Sequence, residues 1–307
     1  QSPQTCHVPR VKHQPACHSL TNISVQVSTP DAPAVNAVEA ALRAVPGFHS
    51  NVPGIQLAAQ TSHNASDEDL QFFQQLGIEW IMLGVNDPEL HSAEHYKQFA
   101  TRFAEYGMQI YRIANHSVHN VPEIALNLPG RDEKIEEFIQ FIRNLGEAGI
   151  RYNTYAHMGN GIWSSGRTTR RGGMSARTLD IKNATGHWID DTFEGDLTHG
   201  REYSEDELWE NYEYMIRKIA PVAEEAGVEM AMHPDDPPLS PLRGIGRIMR
   251  SVENFQRLIE LVPSSSNGLT FCQGNFALMT DDQPAVIRDF GKQGKMVEVQ
   301  IRTKEMD

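Results

Sequence analysis

One segment of this 307-residue chain is dense in groups able to bind a metal or move a proton: Met232-His233-Pro234-Asp235-Asp236-Pro237-Pro238. An imidazole is followed closely by two carboxylates, and prolines surround them. Proline fixes φ and removes a backbone donor, so such a turn is stiff. A stiff turn suits side chains that must hold a ligand geometry. The plainer alternative is a strand-ending turn with two solvated aspartates. Cys272, in Thr270-Phe271-Cys272-Gln273-Gly274-Asn275, is the second residue of interest. A lone buried cysteine is ordinarily a small hydrophobe. At the end of a strand, beside a strand that ends in His233, it becomes a candidate thiolate donor. Imidazole with thiolate suits borderline divalent ions such as zinc and iron, and nearby carboxylates admit manganese.

Further polar groups fall where strands should end. Asn115, His116 and His119 form one set, and Asn153 through His157 another; each set could touch a polyol or simply lie in a loop. Arg167-Thr168-Thr169-Arg170-Arg171-Gly172-Gly173 is a basic run in an acidic chain. Arginine forks onto carboxylates, so the run reads as a carboxylate-binding lid, with a solvated loop as the alternative. Cys6, His7, His13, Cys17 and His18 have metal-like composition without the spacing of a zinc site, and they read as tail.

The elements that must position these groups alternate. Apolar strand runs at 54–60, 78–83, 108–114, 150–156, 228–232, 268–271 and 295–301 are separated by helical stretches. Ser66 with Asp69, and Ser204 with Glu207, have the spacing of capping boxes. Phe72, Phe73 and Leu76 read as the buried stripe of the first of these helices. Ile135, Phe138, Ile139, Ile142 and Leu145 read as that of the helix over 132–148. The polar stretch 159–203 reads as one long loop, and loops of such length in a compact domain are usually functional or mobile. Seven βα units in series predict a (β/α)₈ TIM barrel. An open doubly wound sheet is the alternative, and no glycine-rich phosphate fingerprint follows the first strand to favour it. The eighth unit is not accounted for at the C-terminal end. The alternating run Thr21 to Ser28 and a helix over Asp31 to Ala44 are the candidates to close the ring. This divides the chain into an N-terminal extension, 1–53, and a barrel domain, 54–307.

Composition narrows the partners. A hydrophobic content of 39% builds a core, and the net charge of −13, from 27 Lys and Arg against 40 Asp and Glu, argues against a nucleic-acid partner. No apolar run reaches the roughly 20 residues a membrane-spanning helix needs, and the first 20 residues lack the apolar core of a signal peptide. Three cysteines make no disulfide framework, so a cytoplasmic setting is expected. A small molecule is the expected partner, and a homo-oligomer is allowed.

The motifs resemble a known family. His233-Pro234-Asp235-Asp236-Pro237-Pro238, then Gly244-Ile245 and Arg247-Ile248, then Asn267-Gly268-Leu269-Thr270-Phe271-Cys272-Gln273-Gly274, resemble mannonate dehydratase, a family of xylose-isomerase-like barrels. The likeness runs over roughly residues 54 to 302 and includes the loop Gly172 to Asp180. It implies dehydration of D-mannonate to 2-dehydro-3-deoxy-D-gluconate in hexuronate catabolism. The implied cofactor is a divalent metal, Mn²⁺ first, with Fe²⁺ and Mg²⁺ as alternatives. His233 and Cys272 match two of its ligands. The family's third ligand is the His of a His-x-Arg pattern where this chain reads Gln300-Ile301-Arg302, and the fourth, an Asp, falls past residue 307. Asp235, Asp236 and His157 are the expected catalytic residues. Asn153, Arg167, Arg247 and Arg302 are the expected contacts to a sugar acid. Gln300 supports the alternative of a catalytically impaired or truncated relative that keeps the barrel and binds a sugar acid. A sugar isomerase or epimerase is the third alternative, for which a cysteine ligand would be unusual.

Overall fold

Apolar runs and capped helices resolve into a ring of strands in the computed structural model, which describes residues 23–27, 55–85 and 87–301. The first part of the order is β1 (Ile23–Val27), β2 (Ile55–Ser62), α1 (Asp67–Gln75), β3 (Trp80–Gly84), α2 (Ala93–Ala104) and β4 (Gln109–Ala114). A single turn, α3 (Pro122–Ala125), then α4 (Arg131–Glu147) and β5 (Tyr152–Tyr155) follow. The stretch read as a long loop is instead a cap of short strands: β6 (Ile162–Ser164), β7 (Gly166–Thr169), β8 (Ser175–Thr178), β9 (Thr185–Trp188) and β10 (Asp191–Phe193). The chain then returns to α5 (Glu205–Ala226), β11 (Glu229–Met232), α6 (Val252–Leu261), β12 (Asn267–Cys272), α7 (Gln273–Ala277), α8 (Gln283–Lys292) and β13 (Met296–Ile301).

Among the described residues, eight strands close a barrel in the order β1-β13-β12-β11-β5-β4-β3-β2. From β2 to β13 neighbours run parallel, as βα connections require. β1 fills the gap between β13 and β2 and is antiparallel to both. The run read as a strand at 21–28 thus closes the ring, but against the direction of the other strands. The helix expected at 31–44 lies outside the described residues, as do Cys6, His7, His13, Cys17 and His18.

Local signals explain the helices. Both capping boxes are present. Asp69 N donates to Ser66 Oγ at 3.2 Å while Ser66 N donates to Asp69 Oδ2 at 3.1 Å, and Ser204 and Glu207 repeat the arrangement. α5 ends at Gly227 in the left-handed region, φ 67°, where glycine carries no Cβ penalty. The expected stripe of α4 is buried as read. Each such side chain, fully buried, contributes about 1.5–3 kcal/mol of transfer free energy. The expected stripe of α1 is buried only at Phe73. Leu70 and Phe73, three apart, face the core, while Phe72 and Leu76 lie on the other side of the helix, 45% and 52% exposed. No helix among the described residues is long and apolar enough to cross a membrane.

The cap has its own small core. Trp163 is buried with Ala184 and Leu242, and Phe193 packs against them. A Cβ on Gly186 would lie 2.6 Å from the Trp163 ring, so only glycine lets β9 approach β6 this closely. The cap is fastened to the barrel at two loops: Trp188 Nε1 donates to His116 O at 3.1 Å, and Trp163 N donates to Asp236 O at 3.1 Å.

Candidate active site

Side chains of a barrel strand alternate between lumen and helix layer. Deep in the lumen lies an apolar cluster of Ala58, Met82, Tyr111 and Ala114, with Trp80 and Tyr152 against it. Next to it is a charged belt. Arg112 pairs with Glu298 and donates to Thr154 Oγ1 at 2.6 Å; Thr154 Oγ1 also donates to Glu298 Oε2 at 2.9 Å and lies 3.0 Å from Thr270 Oγ1. Both charges are buried, 7% and 2% exposed, so each depends on the other.

The three expected metal-binding residues converge beyond this belt. Gln300 Nε2 donates to Glu298 Oε1 at 3.1 Å, which turns its Oε1 toward His233 Nε2 at 3.3 Å. His233 Nδ1 donates to Pro234 O at 2.7 Å. Burial pulls the His233 pKa down. A hydrogen bond to Cys272, the Cys272 and Asp236 charges and the Pro234 carbonyl outweigh burial and lift it to about 9. Cys272, 2% exposed, closes β12 opposite Gln300 of β13.

These residues do not complete a metal shell. Among the described residues no three His, Cys, Asp or Glu side chains come together as metal donors. His233 and Cys272 supply two, and the third place holds a neutral amide, short of the donor sets that divalent ions take in closed sites.

The two aspartates of the turn have different duties. Asp235 is buried, and its Oδ2 accepts from Met249 N at 2.7 Å while Oδ1 faces Arg247 NH1 at 3.5 Å. Burial, the largest influence, pushes its pKa up to about 6 against the pull of Arg247 and the Met249 amide. Arg247 is fully buried and also donates to Asn160 Oδ1 at 2.7 Å and Gly161 O at 2.8 Å. Asp235 and Arg247, expected as a catalytic residue and a substrate contact, tie the loops after β5 and β11 together. Asp236 is half-buried and pairs with Arg177 of the cap hairpin β7–β8.

Other candidates sit apart from this cluster. Asn153 faces the helix layer, 1% exposed, with Nδ2 at 3.8 Å from Met230 Sδ, because its neighbour Thr154 takes the lumen side. His157 packs edge-on against Tyr212 of α5, ring centroids 5.4 Å apart, and burial pulls its pKa down to about 4. Arg167 is held within its own hairpin by Ser175, through Oγ at 2.8 Å and O at 3.0 Å. Arg302 lies outside the described residues. His116, His119 and Trp188 make an aromatic wall at the end of β4. His119 is buried, which takes its pKa well below the usual value, and Ala156 N donates to its Nδ1 at 3.3 Å. Arg112 and Arg177 were not singled out from sequence. The single charge in the strand run Met108 to Ala114 marks Arg112; Arg177 carries no such mark, because its partner is distant in sequence.

A ring built from seven parallel strands and closed by β1, with polar side chains gathered at the C-terminal ends of the parallel strands, is the class of the TIM-barrel enzymes. D-psicose 3-epimerase with D-tagatose from Clostridium cellulolyticum H10 shares the fold at a TM-score of 0.51 and 10% identity, over 77% of this chain and 70% of that one. Mannonate dehydratase from Streptococcus suis serotype 2 is nearer, with a TM-score of 0.63 and 28% identity over 78% of this chain and 69% of that one. The family model for D-mannonate dehydratase (UxuA) matches residues 65–307. Mannonate dehydratase of Geobacillus thermodenitrificans is 32% identical over 256 residues, 75% of this chain and 68% of that protein. Its counterpart from Endomicrobium trichonymphae is 29% identical over 258 residues, 74% of this chain and 70% of that protein. The chain belongs to the mannonate dehydratase family, a family of hydro-lyases.

Proposed function

We propose that this chain dehydrates D-mannonate to 2-dehydro-3-deoxy-D-gluconate, within hexuronate catabolism in the cytoplasm. The observation that carries this is the meeting of the two family motifs at the strand ends, where His233 of the β11 turn hydrogen-bonds Cys272 of β12. The reaction removes the proton at C2, beside the carboxylate, and expels the C3 hydroxyl as water; the enol that results becomes the 2-keto acid. Charge builds toward the carboxylate as the C2 proton leaves, so cations at the mouth favour the step. Asp236 is the carboxylate of the turn that is not locked by buried partners, and it is the chain's own candidate to carry a proton.

The family resemblance brings an expectation of a divalent ion, Mn²⁺ before Fe²⁺ or Mg²⁺. With His233 and Cys272 as its donors among the described residues, we expect loose retention: dialysis against a chelator strips the ion, and elemental analysis reads the loss. The activity test is incubation with D-mannonate and each of these ions, with product read as a 2-keto acid. Turnover is expected, and none above a His233→Ala control with any ion would overturn the proposal. Gln300, in place of the family's histidine, favours a second reading in which a sugar acid binds without turnover. Thermal stabilisation by D-mannonate with no product would select it.

A further inference from the structure

The cap hairpin β7–β8 is the most basic stretch of an acidic molecule. Residues 166–178 carry Arg167, Arg170, Arg171 and Arg177 and no carboxylate, in a chain of net charge −13. Of these, Arg177 reaches the turn after β11 and pairs with Asp236. The pair is partly open to solvent, its side chains 35% and 18% exposed. Asp236 is fixed from behind, since its carbonyl accepts from Trp163 N at 3.1 Å. The other arginine of this turn, Arg247, is enclosed and committed to Asp235, Asn160 and Gly161. Arg167, the residue expected to bind a carboxylate, is spent on Ser175.

We propose that Arg177 is the carboxylate-binding residue for the sugar-acid substrate, and that Asp236 occupies its guanidinium until the substrate carboxylate takes that place. The inference rests on the function proposed above and adds the group that selects an acid over its uncharged analogue. The chemistry is exchange of one carboxylate for another on a guanidinium, whose planar fork matches either. The exchange releases Asp236 from its ion pair beside His233 while the acid is bound.

The test compares D-mannonate with uncharged D-mannonamide by calorimetry, and follows KM and kcat for the acid. The unsubstituted chain is expected to prefer the acid at least about tenfold, the scale of a charge-assisted hydrogen bond. Arg177→Met should erase the preference and raise KM about tenfold with a smaller change in kcat. Arg177→Lys, which keeps charge without the fork, should restore part of it, a graded rescue that a merely structural role would not give. An Arg177→Met chain that turns over D-mannonate and still prefers the acid overturns the inference and leaves the proposed function standing. If the unsubstituted chain neither binds nor converts D-mannonate, the function fails and the inference with it.

Discussion

Asp235 and Asp236 are neighbours in sequence, and each meets an arginine, yet the root and the lip of this turn are built differently. At the root, Asp235 and Arg247 are 1% and 0% exposed and are hydrogen-bonded across the loops after β5 and β11. At the lip, Asp236 and Arg177 are 18% and 35% exposed and join the turn to a separate hairpin. Burial decides what each pair is for. A buried charge cannot lose its partner cheaply, so the root pair is structural; a half-exposed pair can exchange partners, so the lip pair is suited to recognition.

The comparison breaks first at the root. Arg247→Met leaves Asp235 buried without its cation, which should cost about 3–5 kcal/mol of the roughly 5–15 kcal/mol that holds a domain folded. Urea denaturation reads the loss, and a cost under about 1 kcal/mol would place the root pair with the lip pair. Glu298→Gln tests the same rule inside the lumen. It strands Arg112 and removes an anion that orients Gln300, and it should cost about 3 kcal/mol.

His157 sharpens the comparison through pH. Its pKa falls from 6.5 to about 4 in the folded chain because burial disfavours the cation. A lowered pKa gives stability that is present above pH 6.5 and is lost as pH falls toward 4. The share lost between pH 7 and pH 5 is about 2 kcal/mol. Asp235, raised to about 6, runs the other way, contributing below its unfolded value and losing that contribution as pH rises through 6. The clean measurement is therefore the difference between the unsubstituted chain and His157→Gln in denaturation midpoint at the two pH values. Equal slopes would mean that His157 is not held neutral by burial.

Local signals carried most of the fold, and the particular failures are instructive. Strand runs, capping boxes and the α4 stripe are properties of adjacent residues, so they can be read along the chain. The antiparallel direction of β1 depends on which gap in the ring remains open, which no local run encodes. The cap looked like a loop because its strands are three or four residues long and polar, and their core is Trp163 meeting residues far along the chain. At the site, His233 and Cys272 announce themselves by type and by ending strands. The face of Asn153 is set by alternation, and one step along β5 separates the lumen from the helix layer. Asp235 and Asp236 are identical by type; Met249, Arg247 and Arg177, which divide their duties, come from other parts of the chain.

The smallest expected effect is the one that completes the comparison. Asp236→Asn removes the lip pair without burying an orphan charge, because Arg177 stays more than a third exposed with water to solvate it. Exposed pairs contribute under about 1 kcal/mol, and salt screens them further. The denaturation midpoint of Asp236→Asn should therefore move little, and a double-mutant cycle with Arg177→Met should give a coupling below about 1 kcal/mol. The same cycle at the root, Asp235→Asn with Arg247→Met, should give a coupling several times larger. Equal couplings would erase the distinction between root and lip, since exposure alone separates two pairs of the same chemistry one residue apart.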